Sequence, residues 1–129
     1  MAARVFLGFF GLLSVGYGLY CFARPEFLDA FAGVAATSTT GKIELRAMYG
    51  GLQTAFGVFA LLGALRPALT RTVLLSIAIL CAGLGSFRVM GAVAASEVSS
   101  YTGQGIAFEL GSMAVAVFLL RRLPALAAR

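Results

Sequence analysis

Two arginines, two glutamates, a tyrosine and a glutamine stand inside stretches that are otherwise apolar. Glu44, Arg46, Tyr49 and Gln53 lie in "GKIELRAMYGGLQTAFGVFALLGALRP", Arg88 in "TVLLSIAILCAGLGSFRVMGAVA" and Glu109 in "IAFELGSMAVAVFLL". Two carboxylates are enough for acid–base work in principle. An arginine beside each would hold it ionised, which suits pairing better than proton transfer. The remaining residues give a reaction little to use. There is no histidine, no serine beside a base, no phosphate loop and no metal-ligand spacing. Cys21 and Cys81 form no CxxC and read as small buried hydrophobes. No metal or cofactor is implied, and the residues lean away from an enzyme. The six polar residues read instead as one balanced cluster. It either clasps helices together or lines a pocket for a small polar or amphiphilic molecule, because charges inside apolar spans face inward and pair.

The elements that must position this cluster follow from hydropathy. The chain has 129 residues, 60% of them hydrophobic, and a mean hydropathy of +0.96. That length suits a single domain over 1–129. Four apolar runs, about 5–23, 43–65, 72–94 and 104–120, each approach the ~20 residues a helix needs to cross a bilayer. None has the polar stripe that a helix of a soluble bundle carries. The expected fold is all-α, a bundle of four transmembrane helices. Between the first and second, "RPEFLDAFAGV" places Phe27, Leu28 and Phe31 on one face and Glu26 and Asp29 on the other. This predicts a short amphipathic helix in the membrane interface. The Ser and Thr residues of "AATSTTG" then offer caps for the second span. Pro67 stops that span, and a turn over 66–71 leads into the third.

The net charge of +5 does not indicate nucleic acid, since the basic residues form neither a run nor a face. They sort by segment. Arg4, Arg66, Arg71, Arg121, Arg122 and Arg129 stand at the N-terminus, the second turn and the C-terminus with no acid among them. By the positive-inside rule these segments are cytoplasmic, in a bacterial inner membrane. The first run reads as a retained span and not a cleaved leader. It exceeds a usual leader core, and its only A-x-A, Ala30-Phe31-Ala32, follows Pro25.

With that topology all four charges fall in the outer half, Arg46 roughly 5 Å and Glu109 roughly 9 Å into their spans at 1.5 Å per residue. Helical phase adds detail. Gly8, Gly11, Val15 and Gly18 share a side of the first span. Arg46, Gly50, Gln53 and Gly57 share one of the second, with Tyr49 on its flank. Ala78, Cys81, Gly85 and Arg88 align on the third, and Gly105, Glu109, Ser112 and Ala116 on the fourth. Small residues let neighbouring helices approach closely in lipid. The expectation is that Arg46 faces Glu109, with Gln53 and Tyr49 completing the hydrogen bonds and Arg88 as the rival partner. More ordinary roles are also open: Glu44 as an acid favoured near a helix start, and Arg88 as a side chain reaching for the headgroups.

The string "ELRAMYGGLQ" followed by "GALRP" resembles small bacterial membrane proteins grouped as the domain of unknown function 4345 family. The resemblance takes in nearly the whole chain, from the glycine-rich first span to the glutamate of the fourth. It implies a four-helix integral membrane protein, and marks Glu44, Arg46, Tyr49, Gly50 and Gly51 as a signature. It implies no activity. Two functions remain in view. One is binding, passage or presentation of a small amphiphile. The other is an accessory subunit that packs against a membrane-protein partner or a second copy of itself. Membrane lipids surround the protein in either case.

Overall fold

A computed structural model describes residues 1–124. Arg129 lies outside the described residues. Five helices follow one another: α1 (Ala2–Ala23), α2 (Phe27–Ala32), α3 (Thr39–Leu65), α4 (Pro67–Ala95) and α5 (Ser100–Arg122). Among the described residues there is no strand. The four long helices are the four apolar runs, each long and apolar enough to cross a membrane.

The helices outrun the apolar stretches because caps, and not hydropathy, set their ends. The Ser38 hydroxyl accepts from the Gly41 amide at 3.0 Å and starts α3. Pro67, expected only to stop the second span, also opens the third. It needs no amide partner at a first helical position, so the expected turn over 66–71 shrinks to Arg66 alone. Ser99 caps α5 by accepting from the Thr102 amide at 3.1 Å. Tyr101, Thr102 and Gly103, which precede the fourth apolar run, therefore stand on the helix. The short helix α2 is present and ends at Gly33, whose φ of 66° is left-handed. Its apolar face divides. Leu28 is fully buried, while Phe31 is exposed. Phe27 packs against Tyr20, with ring centroids 5.0 Å apart.

Two helix pairs make the bundle. α1 and α3 meet through glycine. A Cβ at Gly57 would stand 2.6 Å from the Val15 amide nitrogen and 2.7 Å from the Gly11 carbonyl oxygen. Only a residue without a side chain allows that approach. Gly8, expected on the same face, has nothing within 4 Å of a would-be Cβ and takes no part. α4 and α5 form the second pair, along the small-residue faces predicted for them: Ala78, Cys81, Gly85, Ser112 and Ala116 are all buried.

The pairs are joined mainly at one end. There Leu7, Ala60, Val73, Leu74, Ile77, Ala116 and Leu119 form the core. The Thr70 hydroxyl donates to the Gly63 carbonyl at 2.8 Å, and Arg4 Nε donates to the Ala64 carbonyl at 2.7 Å. Arg66, Arg71, Arg121 and Arg122 occupy this same end, since it holds the α3–α4 junction and the last turn of α5. At the opposite end α1 and α5 stand apart. A hydrogen bond of 3.0 Å between the Tyr17 and Tyr101 hydroxyls ties them.

Candidate functional site

Arg88 and Glu109 build the site from the second pair. Arg88 Nη2 donates to Glu109 Oε1 at 2.6 Å, and Nε donates to Oε2 at 3.0 Å. The fork of the guanidinium thus matches both carboxylate oxygens, the strongest geometry such a pair has. Glu109 is buried and Arg88 partly so, with side-chain exposures of 9% and 32%. Glycines make the room. A Cβ at Gly105, one turn before Glu109, would sit 3.0 Å from Arg88 Nε. A Cβ at Gly85, just under a turn before Arg88, would sit 2.6 Å from the Leu110 side chain. The arginine lies flat across α5 because α5 has no side chain at 105.

Beside the pair, between the two helix pairs, is a cavity of about 340 Å³. α1 gives it Phe10, Leu13, Ser14 and Tyr17, and α3 gives Tyr49, Gln53 and Phe56. α4 gives Cys81, Leu84 and Arg88, and α5 gives Tyr101, Gln104, Phe108 and Glu109. The lining is graded along the helices. Toward the core, the Phe10 ring meets Phe56 edge-on at 5.5 Å and stacks on Phe108 at 5.6 Å. These three rings form an aromatic floor. Toward the open end stand Tyr49, Gln53, Arg88, Tyr101 and Gln104. The carboxylate takes Nε and Nη2 of Arg88, so Nη1 remains for another acceptor. Such a chamber can hold a molecule with a hydrogen-bonding head and an apolar body, the usual make-up of a small-molecule site.

Four of the six expected residues therefore meet at one cavity: Tyr49, Gln53, Arg88 and Glu109. Two do not. Glu44 is exposed. Arg46 does not face Glu109. Its Nε donates to the Phe22 carbonyl at 3.1 Å, with the guanidinium 5.9 Å from the Phe22 ring centre. The reason is a turn of unusual width. Residues Arg46–Leu52 form a π-helix, whose hydrogen bonds run i→i+5. The wider turn shifts the phase, so Arg46 and Gln53, stacked in a regular helix, part company. Gly50 and Gly57 face α1, while Tyr49, Gln53 and Phe56 face the cavity. The rival partner, Arg88, is the true one.

Sequence reasoning missed Tyr17, Tyr101, Gln104 and the aromatic floor. A signal existed for part of this. Phe10, Ser14 and Tyr17 recur at helical spacing along α1, and two of the three are polar in an apolar run.

Fold and site together define a four-span helical bundle with a buried ion pair at the wall of a polar-rimmed, aromatic-floored chamber. The chain belongs to the domain of unknown function family DUF4345, whose model matches residues 2–120. No curated protein and no solved structure matches it.

Proposed function

We propose that the protein binds a small amphiphilic molecule in the cavity between its helix pairs, and that it holds, passes or presents this molecule at the outer side of a bacterial inner membrane. The observation that carries this reading is the grading of the cavity wall, from the Phe10, Phe56 and Phe108 rings to Tyr49, Gln53, Tyr101 and Arg88. An apolar body rests on the rings. A carbonyl or hydroxyl head meets the amide, the phenols and the remaining arginine donors. The Arg88–Glu109 pair cancels its own charge, which favours an uncharged head over an anion. The outward orientation rests on Arg4, Arg66, Arg71, Arg121 and Arg122, which share the other end of the bundle with no acid, as cytoplasmic ends do. α2, at the outer end, then lies at the interface with Phe31 toward lipid.

The test is gentle purification followed by mass spectrometry of whatever small molecules and proteins travel with the chain. Wild type should carry an amphiphile. Leu84→Trp, which fills the cavity from an exposed position, and Gln53→Leu, which removes a head contact, should lose it while melting like wild type. An amphiphile retained by both variants places it elsewhere and overturns the reading.

A second reading, a subunit of a larger assembly or a homo-oligomer, draws on Gly16, Gly83, Gly91 and Gly111. A Cβ at any of them would meet nothing within 4 Å, so these surfaces are open to another helix. A stoichiometric protein partner and an empty cavity in the same purification would favour it.

A further inference from the structure

A second concavity, of about 200 Å³, lies outside the chamber, where α2, the segment 33–38 and the first turns of α3 come together. Glu26 and Asp29 enter it from the α2 side, and Lys42 and Arg46 from α3, over a lining of Pro25, Val34, Ala35, Ala36 and Leu45. Two acids and two bases thus share one small cleft. Yet Arg88–Glu109 is the ion pair found among the described residues, so no acid of the cleft comes within 4.0 Å of a base. Charges of both signs facing one space without meeting leave room for a ligand that carries both.

We propose that this cleft is a binding site for a zwitterion of the phosphoethanolamine type. Its phosphate lies against Lys42 and Arg46, and its primary ammonium against Glu26 and Asp29. Arg46 is arranged for this. Its Nε is taken by the Phe22 carbonyl, which fixes the side chain, and both terminal nitrogens stay available for phosphate oxygens. A primary ammonium offers three donors to the two carboxylates, whereas a quaternary ammonium offers none. The level also fits. The Arg46–Phe22 bond sets the cleft beside the last turn of α1, where an apolar span meets polar chain and where a lipid carries its headgroup. Phe22, exposed beneath the guanidinium, gives an acyl chain an apolar surface to follow.

Native mass spectrometry of the full chain in detergent tests the assignment. Phosphatidylethanolamine, phosphatidylglycerol and phosphatidylcholine are titrated in parallel. The ethanolamine lipid should bind about tenfold more tightly than either of the others, the effect of one charge-assisted hydrogen-bonding group gained. E26Q/D29N should abolish that preference over phosphatidylglycerol, and K42Q/R46Q should weaken all three lipids. Phosphatidylglycerol binding as tightly as phosphatidylethanolamine overturns the proposal. So does an unchanged ranking in E26Q/D29N. If that variant fails to fold, the wild-type ranking and the single exposed change K42Q decide. Glycerophosphoethanolamine as a competitor separates two sources of the same head. Full displacement identifies a site for the soluble compound, and no displacement identifies a site for the lipid. Q53L should leave the ranking untouched, so the cleft stands or falls separately from the cavity.

Discussion

Arg88 on α4 and Glu109 on α5 are joined by two parallel N–H···O bonds of 2.6 and 3.0 Å, yet they are unequally buried. The inequality has an energetic consequence. Arg88→Leu strands a buried carboxylate and should cost about 3–5 kcal/mol. Glu109→Leu leaves an arginine that still reaches the cavity mouth, and should cost less. The double substitution should cost less than the sum of the two. Melting in detergent measures all three. Arg46→Leu combined with Glu109→Leu should be additive, because these residues share no contact. Coupling in that second cycle would restore the pairing that sequence alone suggested.

The glycine contact between α1 and α3 predicts a sharp contrast. Gly57→Ala drives a methyl into the backbone of α1 at Val15 and Gly11. It should cost about 1–3 kcal/mol, as overpacking does. Gly83→Ala and Gly111→Ala meet open space, so they should be neutral or gain about 0.5–1 kcal/mol from helix propensity. Equal melting of all three would mean that α1 and α3 are not in close contact.

Tyr17 and Tyr101 tie α1 to α5 at the open end of the bundle. Tyr17→Phe should cost about 0.5–1.5 kcal/mol, the net worth of a typical hydrogen bond. Adding Tyr101→Phe should cost little more, since the bond is already gone. A double-mutant cycle by thermal melting checks this, and full additivity would show that the hydroxyls do not meet.

Orientation has its own measurement. A reporter fused after Arg129 that works only in the cytoplasm should be active, and one that works only outside should be silent. The opposite pair of results would turn the chamber to face the cytoplasm.

How far the sequence reveals the molecule can be judged from particular residues. The four spans were legible because burial in lipid imposes long apolar runs, and the partner faces of α4 and α5 because small residues recur there at helical spacing. Arg88 and Glu109 were both legible as candidates, each a lone charge on such a face. The choice between Arg46 and Arg88 as the partner of Glu109 was not, because it turns on the phase of Arg46 in α3. A π turn breaks the 3.6-residue period without announcing itself in residue type, so Arg46 was counted on the wrong face. Tyr101 was hidden for another reason. "SEVSSYTGQG" is polar enough to read as loop, and the cap at Ser99 outweighs that polarity.

The π turn carries one further consequence. Deleting a single residue between Arg46 and Leu52 would let the segment close as regular helix, so the span would survive. Each residue of an α-helix turns the chain by about 100°. A π turn, however, spends one residue more than an α turn on nearly the same rotation, so the deletion would remove a surplus and leave Thr39–Leu45 and Gln53–Leu65 close to their present phase. Lys42 and Leu45 would stay at the cleft, and Gln53 and Phe56 at the cavity. The same deletion within the regular helix after Gln53 would swing the two parts of α3 by about 100° and uncouple the outer cleft from the inner chamber. Retention of both the lipid preference and the cavity ligand is the signature that a deletion in the π turn should leave.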